Sequence, residues 1–172
     1  MILCLYGSTC SGKTTVARAL ASKLNFPLRS CGEEVRRVAG ELDIALADVP
    51  EYGHRQIDRD TVAWAHEHRP CVIEGRFLDT VFASAAAPAT LVRLVASDES
   101  RLVRGRTRNP AFTSDDLGRA DAEDAKHRAR IYNALEEVVP WQTVDTSDLS
   151  VDECVRRIVT MLKDARLLSR RV

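Results

Sequence analysis

The 172-residue chain predicts an α/β fold in three layers, with a parallel sheet between two layers of helices. Three observations carry this. A short apolar run, Ile2-Leu3-Cys4-Leu5-Tyr6, is followed at once by a glycine-bearing segment, Gly7 to Thr14, and then by a helical stripe. Four further extended runs alternate with stretches of helical periodicity, as in parallel strands joined by crossover helices. All six prolines fall between these elements or in their first turns, so none interrupts an assignment.

Taken in order, Ile2 to Tyr6 reads as a buried strand, and the helix after Thr14 carries Val16, Leu20 and Leu24 on one stripe beside Ala17 and Ala21. Pro27-Leu28-Arg29-Ser30 is a short second strand and Glu33 to Leu42 a helix. Asp48 to about His68 is the next helix, with Asp48 as N-cap and Pro50 in the first turn. Cys71-Val72-Ile73-Glu74 and Thr90 to Val95 are buried strands. Ser97 caps a helix from Asp98 to about Arg106, with acids in its first turn where they meet the helix dipole. Thr107 to about Ala120 lacks periodicity and carries Pro110, Gly118 and flanking arginines, so a mobile flap is expected there. Gln142 to Asp145 is the last strand. Ser150-Val151-Asp152-Glu153 is a capping box that opens a final helix with Cys154, Val155, Ile158, Val159 and Leu162 as a broad apolar stripe. The tail Ser169 to Val172 is expected to fray.

A chain of this length suits one domain, since it buries roughly 70% of its unfolded surface. With 45% hydrophobic and 29% charged residues, the composition is that of an ordinary globular protein. No apolar run approaches the ~20 residues of a membrane span, and the first residues read as a core strand rather than a signal peptide. A cytoplasmic monomer is expected. The net charge of zero provides no global field to recruit nucleic acid or a membrane. Arginine outnumbers lysine 21 to 4, and seven arginines (Arg101, Arg104, Arg106, Arg108, Arg119, Arg128, Arg130) fall within thirty residues. Arginine is the better residue for planar, bidentate grip on phosphate. The five cysteines are odd in number and lack C-x-x-C spacing, which argues against structural zinc and for a reducing compartment. Cys4, Cys71 and Cys154 read as core residues, and His66 and His68 as surface ones. Cys10 is the thiol with reactive potential, which bound nucleotide would protect.

Gly7-Ser8-Thr9-Cys10-Ser11-Gly12-Lys13-Thr14 fits G-x-x-x-x-G-K-[ST] at every position, between a strand and a helix. Gly7 and Gly12 let successive N–H groups converge on one concavity, and the helix adds its positive end. Lys13 supplies a mobile charge for the β- and γ-phosphates, and the Thr14 hydroxyl is placed to ligate Mg²⁺. The segment binds a nucleoside triphosphate.

A phosphate loop serves kinases, GTPase switches and ATP-driven machines alike. The Asn-Lys-x-Asp segment of a guanine reader is absent, and Val72-Ile73-Glu74 is followed by Gly75-Arg76 rather than by a second acid. Ligands bind at the carboxyl ends of strands in open α/β sheets. Glu74 there can hold a water on Mg²⁺, or cap a turn, while Arg76 reaches a second anion. Arg36 and Arg37 follow the second strand; Arg104, Arg108, Arg119 and Arg128 follow the fourth. Phosphoryl transfer needs in-line placement, cations on the migrating charge and exclusion of water, and these are its parts.

The order of Gly7 to Thr14, Ser30-Cys31-Gly32-Glu33 with Arg36, Ile57-Asp58, Glu74-Gly75-Arg76, Arg104 and Arg108, Arg119-x-Asp121-x-x-Asp124-x-x-x-Arg128, and Asp145-Thr146-Ser147 resembles that of the nucleoside monophosphate kinases, and within them the short cytidylate kinases. The resemblance implies a P-loop fold with a five-stranded parallel sheet in order 2-3-1-4-5. It also implies an acceptor-binding segment at about 33–68 and a lid at about 107–128. ATP with Mg²⁺ is the implied donor, and a nucleoside monophosphate, CMP or dCMP, the implied acceptor. Gly7, Thr9, Ser11, Gly12, Lys13, Thr14, Thr15, Arg104 and Arg108 would contact ATP, with Thr14 and Glu74 on the metal. Arg36, Asp58, Glu74 and Arg76 would hold the acceptor. Lys13, Arg108, Arg119 and Arg128 would act on the transferring group, with Arg130 competing for the place of Arg128. The backbone after Asp145 would lie near adenine. Asp121, Asp124 and Arg128 share one helix face, so the acids equally serve to orient the arginine.

The Asp-aromatic-Pro-Arg pattern of adenylate kinases is absent, and Glu74-Gly75-Arg76-Phe77 favours the cytidylate branch. The long insert of larger cytidylate kinases is also missing, so the base falls to the helix from Asp48 to His68. Arg55, Asp58, Arg59 and Asp60 are candidates, with Asp58 preferred and a salt bridge from it to Arg55 or Arg59 as the competing reading. Two other functions remain open: a P-loop kinase for an antibiotic, sugar or shikimate-like acceptor, and a nucleotide-sensing module without turnover.

Overall fold

Burial switches face residue by residue along β1 (Ile2–Tyr6). Leu3 and Leu5 pack into one hydrophobic cluster, Ile2, Cys4 and Tyr6 into another, and all five are buried. A strand apolar on both faces belongs mid-sheet with a covering layer on each side. The computed structural model, which describes residues 1–132 and 138–168, has that arrangement. β1 pairs in parallel with β3 (Cys71–Gly75) on one side and β4 (Thr90–Val95) on the other. β2 (Leu28–Ser30) lies outside β3 and β5 (Gln142–Asp145) outside β4, giving the expected order β2-β3-β1-β4-β5.

Helices α1 (Lys13–Leu24) and α7 (Val151–Asp164) cover one face, where Val16, Leu20, Cys154, Val155, Ile158 and Leu162 meet Leu3, Leu5, Val92 and Val144. On the other face Ala65 of α3 (Glu51–Glu67) and Leu78, Val81 and Phe82 of α4 (Leu78–Ser84) meet Ile2, Cys4, Tyr6 and Ile73. Each fully buried Leu, Ile or Phe contributes about 1.5–3 kcal/mol, so these two layers hold the sheet edge that carries the site. α2 (Cys31–Leu42) starts where Ser30 accepts a hydrogen bond from the Glu33 N–H at 3.2 Å. α5 (Asp98–Arg108) starts at Ser97, which caps Ser100. The capping box of α7 is closed in both directions, Glu153 accepting from the Ser150 N–H at 2.8 Å. No helix among the described residues is long and apolar enough to cross a membrane.

Three elements differ from expectation. α3 begins at Glu51 with Pro50 as its cap, because Leu46–Asp48 close a separate 3-10 turn in which the Asp48 N–H donates to Ala45. Most of the expected flap is helix: α6 runs from Ser114 to Tyr132, leaving only 109–113 as loop after α5. Its start is fixed by a reciprocal pair, Thr113 Oγ1 accepting from the Asp116 N–H at 3.2 Å and Asp116 accepting from the Thr113 N–H at 2.9 Å. α4 was not expected; Leu78 to Phe82 are all buried, so it has no amphipathic stripe to read. The tail Ser169 to Val172 lies outside the described residues.

Candidate active site

The loop between β1 and α1 is folded by two glycines. Gly7 has φ +149° and passes so close to β4 that a Cβ there would lie 2.2 Å from the Leu94 carbonyl oxygen. Gly12, the N-cap of α1, has φ +88°. Within this turn Lys13 Nζ donates to the Ser8 carbonyl at 3.0 Å, and burial pulls its pKa down to about 8 against the opposing pull of Glu74. Ser11 is 1% exposed and its hydroxyl has no partner among the described residues. An unpaired buried hydroxyl costs about 1–3 kcal/mol, and an anion seated in the loop is the partner this position suits.

Two arginines of α5 brace the loop. Arg101, buried, donates through Nε to the Thr9 carbonyl at 2.9 Å and grips Asp121 of α6 with both terminal nitrogens, at 2.9 and 2.6 Å. Arg104 donates to Thr146 Oγ1 at 2.9 Å and to its carbonyl, while the Thr146 hydroxyl lies 3.0 Å from the Ser11 carbonyl. The end of β5 is thereby tied to the phosphate loop.

A cleft of about 1060 Å³ opens at the carboxyl ends of β1, β2 and β3. Thr9, Lys13 and Thr14 line it from the loop, Arg36 from α2, Asp58 from α3, Glu74 and Arg76 from the end of β3, and Arg108 from α5. Glu74 is buried and held by the Ser30 hydroxyl. Asp58 accepts from the Tyr132 hydroxyl at 2.8 Å, and burial raises its pKa to about 6 in spite of that bond and of Arg55 and Arg59. The other three base-reading candidates face the helix surface instead: Arg55 pairs with Glu51, and Arg59 and Asp60 bond Gln56.

Residues not foreseen complete this wall. Phe77 and His127 stack at 4.8 Å, His54 meets His127 edge-on at 4.6 Å, and Tyr132 closes the group. All four line the cleft. Burial, His54, Arg76 and Arg130 together hold the His127 pKa down at about 4, so it is neutral at physiological pH. His54 precedes Asp58 by one helical turn on α3, a spacing that would have exposed it. His127 and Tyr132 lie on α6 beyond the expected flap, and no spacing in the sequence points them at Phe77.

The lid arginines separate. Arg130 and Arg108 line the cleft. Arg119 is exposed and paired with Asp116 at 2.7 Å, and Thr15 is exposed on α1. Arg128, expected to close on the transferring group, is buried in a two-pronged pair with Asp79, at 2.8 and 3.1 Å, and bonded to Thr80. Asp79 is fully buried, and an unpaired carboxylate there would be costly, which is why Arg128 is drawn to it. Its side remains part of the wall of a small recess of about 230 Å³ beside Gly7, Ser8, Arg76 and Asp124.

The sequence matches the AAA domain family AAA_18 over residues 3–126. It is 30% identical over 166 residues to the cytidylate kinase of Pyrobaculum islandicum, across 91% of this chain and 89% of that protein. The chain belongs to the P-loop kinases. This kinase is also 31% identical over 168 residues to the shikimate kinase of Thermobifida fusca, across 94% of each. Among solved structures, the shikimate kinase of Bacteroides thetaiotaomicron shares its fold with a TM-score of 0.66 at 20% identity, over 95% of this chain and 98% of that one. The relatives agree on a kinase and differ in the acceptor they are named for.

A P-loop kinase implies ATP and usually Mg²⁺, and the residues fit both. The unpartnered Ser11 hydroxyl, the loop N–H groups and Lys13 would hold the triphosphate. Among the described residues no group of three or more His, Cys, Asp or Glu could hold a metal by itself. Mg²⁺ characteristically leans on one or two protein oxygens, phosphate oxygens and water, and Thr14 and Glu74, which line the same cleft, are the residues that would hold it. The metal would supply neutralising charge to the phosphates.

Proposed function

We propose that this kinase transfers the γ-phosphoryl group of ATP to a nucleoside monophosphate, with CMP or dCMP as acceptor. The observation that supports this most directly is that Lys13, Arg36 and Arg76 line one cleft from three separate elements, so that a triphosphate-binding loop and a pair of guanidinium groups share one space. Two anions brought together in this way need cations to offset their repulsion, and the transfer itself asks for little more than alignment. Arg108 and Arg130 add charge at the α5 and α6 side of the cleft.

The acceptor wall of His54, Phe77, His127 and Tyr132 suits a flat ring, and Asp58 supplies one polar contact at its edge. Ionised at neutral pH, Asp58 accepts a hydrogen bond from an exocyclic amine such as that of cytosine. Uracil presents a carbonyl in that position, and a buried carboxylate facing it would be left unpaired. In the transfer step Lys13 would follow the charge moving off the donor, and Arg36 and Arg76 would fix the acceptor oxygen in line.

ADP release with four ribonucleoside and four deoxyribonucleoside monophosphates, shikimate and gluconate as acceptors tests this. A response led by CMP or dCMP is expected. The likeness to a shikimate kinase favours a second reading, an acceptor carrying a carboxylate on an alcohol, which would engage the same two arginines. A response to shikimate or gluconate alone would establish it, and no response to any acceptor would leave a nucleotide-sensing module.

A further inference from the structure

We propose that Asp124 is a displaceable ligand of Arg76 and so selects acceptors bearing a dianionic group over neutral or singly charged ones. This rests on the reading that Arg76 grips the anionic end of the acceptor.

Two acids one turn apart on α6 hold arginines in unlike ways. Asp121 is gripped by both terminal nitrogens of Arg101, whose remaining nitrogen bonds the Thr9 carbonyl, and that side chain is only 8% exposed. This pair is a fixed brace. Arg76 meets Asp124 through one nitrogen and one oxygen, and its side chain is 46% exposed. Its other described contact is the face of Phe77, 5.6 Å from the ring centre. Most donors of that guanidinium are therefore open toward the cleft that both residues line.

The Asp124 carboxylate is itself poorly solvated, with burial raising its pKa and Arg76 and Lys13 opposing that rise while Asp121 adds to it. Its ion pair with Arg76 sets one carboxylate between the lysine of the donor loop and the arginine of the acceptor end. A phosphate monoester brings two charges and a bidentate geometry to Arg76 and wins the exchange. A carboxylate trades one charge for one, and a hydroxyl offers none, so either leaves Asp124 in place.

The test is binding of sulfate, followed by calorimetry, in the wild-type protein, Asp124→Asn, Arg76→Ala and the double variant. Sulfate keeps its two charges across the working pH range and requires neither base nor sugar. Asp124→Asn is expected to bind sulfate about fivefold more tightly, the scale of one half-exposed ion pair. The gain should shrink in the Arg76→Ala background to what Lys13 passes to sulfate at the phosphate loop, a part that cancels in the cycle. Asp124→Ser removes the same charge with a different side chain, and Asp124→Glu should restore wild-type affinity. Unchanged or weaker binding by both neutral variants, or a gain undiminished by loss of Arg76, would overturn the exchange. A positive sulfate cycle beside an acceptor screen with no monophosphate response would sink the nucleotide reading and leave the exchange standing.

Discussion

Lys13 is kept partly discharged by its own loop. With its pKa lowered to about 8 by burial, the ligand-free protein holds fewer protons than its unfolded chain between that value and the ordinary lysine value of 10.5. A bound triphosphate favours the ammonium form, so binding at pH 8 should take up about half a proton, and affinity should fall as the pH rises further. Calorimetry in two buffers of different ionisation enthalpy measures this, and the same observed heat in both would refute it. Lys13→Ala should lower turnover by roughly 10²-fold or more, as loss of a charge-stabilising donor does. Asp58 titrates in the opposite sense to a paired surface acid. Its pKa, raised to about 6, means that the carboxylate is lost as pH falls through 6, and acceptor KM should rise there. Asp58→Asn should flatten that limb of the KM profile to the part set by the acceptor's own phosphate, which loses its second charge at a pH of about 6, while leaving ATP affinity near wild type.

Among the elements, α6 gathers most of the electrostatics and was, after α4, the least legible. β1 and β3 could be read because both of their faces are buried, and α5 and α7 because a serine caps each start. On α6 the positions that would carry an apolar stripe are filled by Asp121, Asp124 and Arg128, each satisfied by an opposite charge from α5, the end of β3 or α4. Helical periodicity in hydrophobicity cannot report a face that packs through ion pairs. The Thr113-x-x-Asp116 capping box did mark its start. Because Asp121 reaches the phosphate loop through Arg101, Asp121→Asn should act at a distance, raising the KM for ATP with little change in that for the acceptor. Steady-state kinetics with each substrate varied would check this, and an acceptor-only effect would contradict it.

For the molecule as a whole, the parts of the site that could be read from sequence are those placed by strand ends. The loop, Arg36, Glu74 and Arg76 follow β1, β2 and β3 directly, and the sheet order brings them together. The wall of His54, Phe77, His127 and Tyr132 joins residues from α3, the β3–α4 turn and α6, whose meeting depends on how α6 lies over the sheet, and no spacing encodes that. The buried Asp79–Arg128 pair fixes that placement. Asp79→Asn, which leaves a guanidinium without its counter-charge, should destabilise the fold by about 3–5 kcal/mol in chemical denaturation. The same pair pins α6 near one end. Arg119 stands nine residues up the rod from that pin, about 13 Å along the axis. Between that pin and Arg119, Asp124 and Asp121 tie the same helix to Arg76 and Arg101, so rigid rocking is blocked and bringing the Arg119 guanidinium in from solvent would require those two ion pairs to open.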